Sequence, residues 1–286
     1  MIKMILVPAT GDERDAAVFA AALAVARAFD AHIEFLHIRV DAVALAATMT
    51  AEGGSGMMVS GLIDRIESDS DQREAAAKAG FDGFRGREGL ALADSSSGPK
   101  ALSASWRREI GVEPDWLVTY GRVADLIVFG RSGEGNGASS GSLEAALIDS
   151  GRPIFLPPAA PLAALPDKVA IAWKETREAA RAVTAALPFL ARAKEILVLV
   201  VEEEGAAAEP ADRLAAALAW RGCPVSVRRL APAAEGAGEA LLGEAKKAGA
   251  MLVMGGYGHS RLREWVFGGV TRRVSQSAEI PVLIAH

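Results

Sequence analysis

One short pattern occurs twice in this chain, and the repetition limits what the chain can build. Residues 126–133 (LIVFGRSG) align with residues 252–258 (LVMGGYG), with the second glycine in register. Their surroundings align as well: GRPIFL at 151–156 with EIPVLI at 279–284, and MILVP at 4–8 with KVAIA at 168–172. Short, nearly continuous apolar runs that stop at turn residues fit strands buried on both faces, as in a parallel sheet covered by helices. Strands of that kind need helical crossovers of fixed hand. The repeat therefore predicts two copies of one α/β unit, and a length of 286 residues gives each copy enough chain for its own core.

Taken in order, the chain alternates strand and helix. Strands are expected at 1–8, 32–40, 102–110, 124–129 and 153–156 in the first half. Asp12 is placed as the cap of a helix over 12–29. Residues 41–78 read as helical at both ends, broken by the run GGSG at 53–56. Residues 81–100, rich in Gly, Arg, Asp and Ser, read as irregular surface, so the region 41–105 is treated as an irregular insert. Short helices follow at 114–120 and 142–150. The run PPAAPLAALP at 157–166 cannot continue a helix or a central strand and marks the linker. Domains are thus expected at 1–157 and 166–286. In the second, strands at 168–173, 195–201, 225–230, 251–254 and 281–285 alternate with helices at 177–191, 210–221 and 238–248. A further helix is expected after the glycine loop, starting near Glu264 or just after Gly269.

The composition excludes several classes. A hydrophobic share of 51% with aromatics at 6% suits Ala-rich helices on a sheet. A net charge of −5 provides no basic field for nucleic acid or an anionic membrane. Cys223 is the sole cysteine, so intrachain disulfides and cysteine-cluster metal sites are out. No uncharged apolar stretch is long enough for a membrane span, and a cytoplasmic location is expected. The histidines (His32, His37, His259, His286) show neither triad nor metal spacing, and His37 reads as a packed strand residue. No phosphate-loop lysine motif, nucleophile elbow or zinc-protease helix is present. No catalytic or metal-binding residue is assigned.

The glycine turns are where chemistry could reside. Glycines after a buried strand let backbone N–H groups approach an anion, and a following helix N-terminus adds partial positive charge. The same glycines also suit plain strand-to-helix turns. Charge separates the two copies. Residues 255–273 carry Arg261, Arg263, Arg272 and Arg273 against Glu264, whereas 130–152 carry Arg131 and Arg152 against Glu134, Glu144 and Asp149. Phosphate prefers the first set.

Gly255-x-x-Gly258, nine residues, Gly268, then Val270-Thr271, with PVLI at 281–284, resembles the universal stress protein family. The resemblance extends to both halves and is most specific over 251–284. It implies two tandem Rossmann-like domains of the adenine nucleotide alpha hydrolase type, each a five-stranded parallel sheet with helices on both faces. It also implies a stress-response role, ATP or AMP as ligand, and at most weak ATP hydrolysis. Carried over residue by residue, it points to Gly255, Gly258, His259, Gly268, Gly269, Val270 and Thr271, with Trp173 and Lys174 after the first strand of that half. Here Gly269 stands where the family has a hydroxyl residue, and Lys174 where it has an adenine-reading Asp; lysine cannot accept a hydrogen bond. Trp173 could stack on a base or fill its pocket. The second candidate site is Gly130, Gly133, Gly141 and Ser142 with Thr10 at the Asp position; its loop has seven residues instead of nine. The family also implies pairing through last strands, here within one chain as a pseudo-dimer, with a homodimer as a further step. A nucleotide-independent interaction scaffold is the alternative function.

Overall fold

A computed structural model describes residues 1–50, 56–95, 102–131, 140–202, 209–231, 233–234, 236–256 and 278–286. In the first half the elements are β1 (Met4–Pro8), α1 (Asp15–Phe29), β2 (His32–Arg39), α2 (Ala42–Thr50), α3 (Gly56–Glu88), β3 (Ala91–Leu92), β4 (Ser103–Ile110), α4 (Glu113–Gly121), β5 (Leu126–Val128), α5 (Ser140–Asp149) and β6 (Ile154–Leu156). In the second half they are β7 (Lys168–Ala172), α6 (Arg177–Leu190), β8 (Glu195–Val201), α7 (Glu209–Ala219), β9 (Val225–Leu230), α8 (Ala237–Ala248), β10 (Met251–Gly255) and β11 (Val282–Ala285).

All eleven strands form one sheet in the order β3-β4-β2-β1-β5-β6-β11-β10-β7-β8-β9. Neighbours run parallel except β6 and β11, which pair antiparallel with Val282 opposite Leu156 and Ile284 opposite Ile154. The second half repeats the order of the first once β3 is set aside: β1, β2, β4, β5 and β6 correspond to β7, β8, β9, β10 and β11.

Side-chain alternation sorts the core into two layers. Ile5, Val7, Val169, Ile171, Met251 and Val253 face α1, α3, α6 and α7. Leu6, Ala170, Leu197, Leu252 and Met254 face α4, α5 and α8. Both faces of the central strands are therefore dry, which is why their sequences read as unbroken apolar runs. Across the junction of the halves, Phe189 of α6 meets Phe29 of α1 edge-on at 5.3 Å and stacks with Phe155 of β6 at 6.2 Å.

Three expectations change. The region 41–105 is not irregular: α3 runs as one helix to Glu88, carrying Phe81 and Phe84 into the core against Phe35, with Phe84 also against Phe19. Gly80 and Gly86 do not break it, because a side chain there would meet nothing within 4 Å; they lie on its open side. The first half has a sixth strand, the two-residue β3 at the sheet edge, in place of the expected five. Asp12 does not cap α1; its carboxylate accepts from the Arg14 backbone, and the buried Asp15 reaches back to the loop instead.

Candidate functional site

In the second half, β7 lies between β10 and β8, and β10 between β7 and β11. The chain progresses outward in opposite directions from the β7–β10 pair. Such a reversal leaves a crevice at the carboxyl ends of the strands, the usual ligand position in open α/β sheets. Register places Met254 beside Ala172, so Gly255 and Gly256 leave β10 next to Trp173 and Lys174 leaving β7. The structure thus brings together three of the sequence-designated residues of this half, Gly255, Trp173 and Lys174, with Gly256 beside them. Gly258, His259, Gly268, Gly269, Val270 and Thr271, and with them the four loop arginines and the helix expected near Glu264, lie outside the described residues.

Each of the four has a defined local role. A Cβ on Gly255 would stand 2.6 Å from the Ala179 nitrogen and 2.7 Å from the Glu178 carbonyl carbon. The first turn of α6 therefore packs directly on the end of β10, and only glycine leaves room. That turn is fixed by Thr176, whose hydroxyl accepts from Ala179 N–H at 3.2 Å. Gly256 N–H donates to the Ala285 carbonyl, and its own carbonyl accepts from His286 Nδ1 at 3.1 Å. Trp173 is half-buried against the inner core layer; its backbone N–H bonds to Leu199, while its indole Nε1 is buried with no partner among the described residues. Lys174 is exposed.

The counterpart in the first half is built differently. Thr10 N–H and hydroxyl both donate to Asp15, each at 2.9 Å, and Gly11 N–H donates to the same carboxylate at 2.8 Å. Burial outweighs these three bonds and lifts Asp15 from 3.8 to about 6. Ser142 is fully buried and hydrogen-bonded to Glu113. Arg131, half-buried beside Gly130, turns into the junction of the halves. It donates to the carbonyls of Pro157 (2.6 Å) and Ile280 (3.0 Å), and desolvation lowers it from 12.5 to about 10. Gly141 is exposed, and Gly133 lies outside the described residues. Thr10 and Ser142 therefore spend their polar groups on protein partners rather than on a shared phosphate cradle.

The inserted α3 explains the difference. Gly11, at φ +79°, is clamped against it, since a Cβ would stand 2.5 Å from the Arg73 carbonyl oxygen. Ser70 and Arg73 of α3 close over the carboxyl ends of β1 and β2. They leave a cavity of about 70 Å³ that is also lined by Thr10, His37, Arg39 and Glu113. Drug-sized ligands and cofactors occupy pockets of about 300–1,000 Å³, so this space is too small for a nucleotide. Sequence reading did not find Glu113, Ser70, Arg73 or Asp15 as site residues and assigned His37 only to packing. Glu113 had one weak signal, an acidic residue directly before Pro114 at a helix start.

Comparison with known proteins separates the two halves as well. The model of the Universal stress protein family matches residues 168–286. Residues 168–286 are a universal stress protein family domain. No curated protein matches the chain. Among solved structures, a universal stress protein from Archaeoglobus fulgidus DSM 4304 superposes with a TM-score of 0.69 at 15% identity, covering 99% of this chain and 97% of the other. A protein of Pseudomonas aeruginosa UCBPP-PA14, described as a universal stress protein, gives 0.59 at 14% identity, covering 99% and 93%. These likenesses extend the fold of the universal stress proteins over the whole chain. No described helix is long and apolar enough to cross a membrane.

Proposed function

We propose that the universal stress domain at 168–286 binds an adenine nucleotide, ATP or AMP, and that the chain serves as a cytoplasmic nucleotide sensor in a stress response. The observation that carries this reading is Trp173. Its buried Nε1–H, without a partner among the described residues, stands at the strand-order reversal beside the Gly255-Gly256 turn. A purine ring offers acceptor nitrogens that such a donor suits, a contact of opposite polarity to the one lost with Lys174 at the family's Asp position. Phosphates would then be held by the glycine loop with Gly258, His259, Gly268, Gly269, Val270 and Thr271, aided by its arginines. In this reading 1–157 is a second, modified domain of the same kind. The β6–β11 pairing makes the chain a pseudo-dimer, to which a homodimer contact would be additional.

The test is acid extraction of the purified protein, with chromatography for AMP, ADP or ATP, followed by titration of Trp173→Phe. That variant keeps the ring's bulk and deletes the N–H. Its affinity should fall by about tenfold, the order expected when a buried hydrogen bond is lost, with unfolding unchanged. Unaltered affinity would remove Trp173 from the site. The second reading, a nucleotide-independent scaffold, is favoured by one observation: close packing alone accounts for Gly255. No extracted nucleotide and no binding at millimolar ATP would establish it over the first.

A further inference from the structure

The cavity beneath α3 is independent of the nucleotide reading, since it lies in the other half of the sheet. Two polar atoms of its lining residues have no partner among the described residues: His37 Nε2 and Glu113 Oε1, both buried. Their chemistry is fixed by their other bonds. His37 is 3% exposed, and its Nδ1 lies 2.8 Å from the Ala9 carbonyl oxygen. A carbonyl oxygen only accepts, so Nδ1 carries the proton and Nε2 of the neutral ring presents a lone pair. Desolvation lowers the pKa of this ring, which keeps it neutral. Burial raises the titration of Glu113 above the usual carboxylate range, opposed by the hydrogen bond from the Ser142 hydroxyl and by the charge of Arg73. Leaving two such acceptors buried and unpaired is costly, which makes them evidence of a missing donor.

We propose that this cavity binds a compact primary ammonium group, from a simple amine or from a small α-amino acid. An ammonium supplies several N–H donors, enough for both Nε2 and Oε1, and places a positive charge beside the half-buried carboxylate. An anion would meet two lone-pair acceptors, and a neutral polyol would leave the Glu113 charge uncompensated. The volume of about 70 Å³ limits the ligand to a few heavy atoms. Arg73, exposed at the rim, is placed to meet a carboxylate if the ammonium belongs to an amino acid.

The experiment is titration of the full chain with ethanolamine, glycine, glycerol and acetate, followed by calorimetry and by the His37 ring resonances in NMR. Saturable binding of ethanolamine or glycine that shifts the His37 signals supports the proposal, with glycine the tighter if Arg73 engages its carboxylate. Glu113→Gln keeps the side chain's shape and removes its charge, and should weaken that binding by about tenfold or more. Should this variant fail to fold, Ser70→Leu narrows the cavity from the α3 wall and should abolish binding. Equal binding of glycerol, binding of acetate alone, undiminished binding by Glu113→Gln, or no saturable binding of either amine would each overturn the proposal.

Discussion

Gly130, just past β5, and Gly255, at the end of β10, hold equivalent places in the repeat, yet they are glycine for different reasons. At Gly255 an added Cβ would collide with the backbone of α6, whereas at Gly130 it would meet only a methyl of Val18 at 3.3 Å. The cause lies in where the following helices begin. In the repeat alignment Arg177, the start of α6, corresponds to Glu13, but α1 begins only at Asp15. Its first turn is replaced by a loop tied to the Asp15 carboxylate. One half thus keeps a helix start packed on the glycine turn. The other has surrendered that geometry to α3, which covers the strand ends and leaves a cavity of about 70 Å³.

Paired substitution at the two glycines should give the largest difference between the halves. Gly255→Ala should destabilise the protein by about 3 kcal/mol, the upper range for overpacking against a rigid neighbour. Gly130→Ala should change stability by less than about 1 kcal/mol, because Val18 can yield. Urea unfolding of the two variants measures both. Equal losses would mean that the two turns are the same after all.

Arg131 tests the junction that only the first half supplies. Arg131→Met preserves the side chain's reach and removes the donors to Pro157 and Ile280, at a cost of about 2 kcal/mol for charge-assisted bonds to buried carbonyls. The loss should appear as easier separation of β6 from β11, read by hydrogen exchange of Ile154–Leu156 and Val282–Ala285 amides. Exchange unchanged from the parent protein would show that Phe29, Phe155 and Phe189 hold the halves without it.

Asp15 gives a pH signature confined to the first half, since its counterpart in the repeat alignment is Ala179. Its folded pKa of about 6 lies above the ordinary 3.8, so the folded state holds the proton more tightly than the unfolded chain. The contribution is fully present below 3.8 and is lost as pH rises through about 6. In that window Asp15 should lower stability by up to about 1.4 kcal/mol per pH unit. Asp15→Asn should flatten this part of the pH–stability curve. A carboxyl resonance titrating below 4 would show instead that the bonds from Thr10 and Gly11 outweigh burial.

Much of this architecture was legible in the sequence because buried parallel strands leave long apolar runs. The runs ending at Pro8, Val128, Ala172 and Gly255 were all placed within a few residues, and the same runs revealed the repeat. The α3 region was misread because composition hid its pattern. The Gly, Arg, Asp and Ser of residues 81–100 suggested irregular surface, while the informative residues were Ala77, Phe81 and Phe84 at helical spacing. The site was less legible for a different reason. Glycine is recorded in the same letter whether it yields space to a ligand or to a neighbouring helix, and the backbone of α6 at Gly255 has no sequence signature. His37 and Glu113 were harder still. They line one cavity because β2 pairs with the distant β4, which α4 follows, and nothing local announces that pairing.

The proposed nucleotide site belongs to one half alone. Calorimetric titration of the intact chain with ATP, compared with Gly268→Val and Gly141→Val, tests it most directly. The predicted result is one nucleotide per chain, lost in Gly268→Val, where a branched side chain would occupy the phosphate space, and retained in Gly141→Val. Retention in Gly268→Val with loss in Gly141→Val, or two equivalent sites, would contradict it.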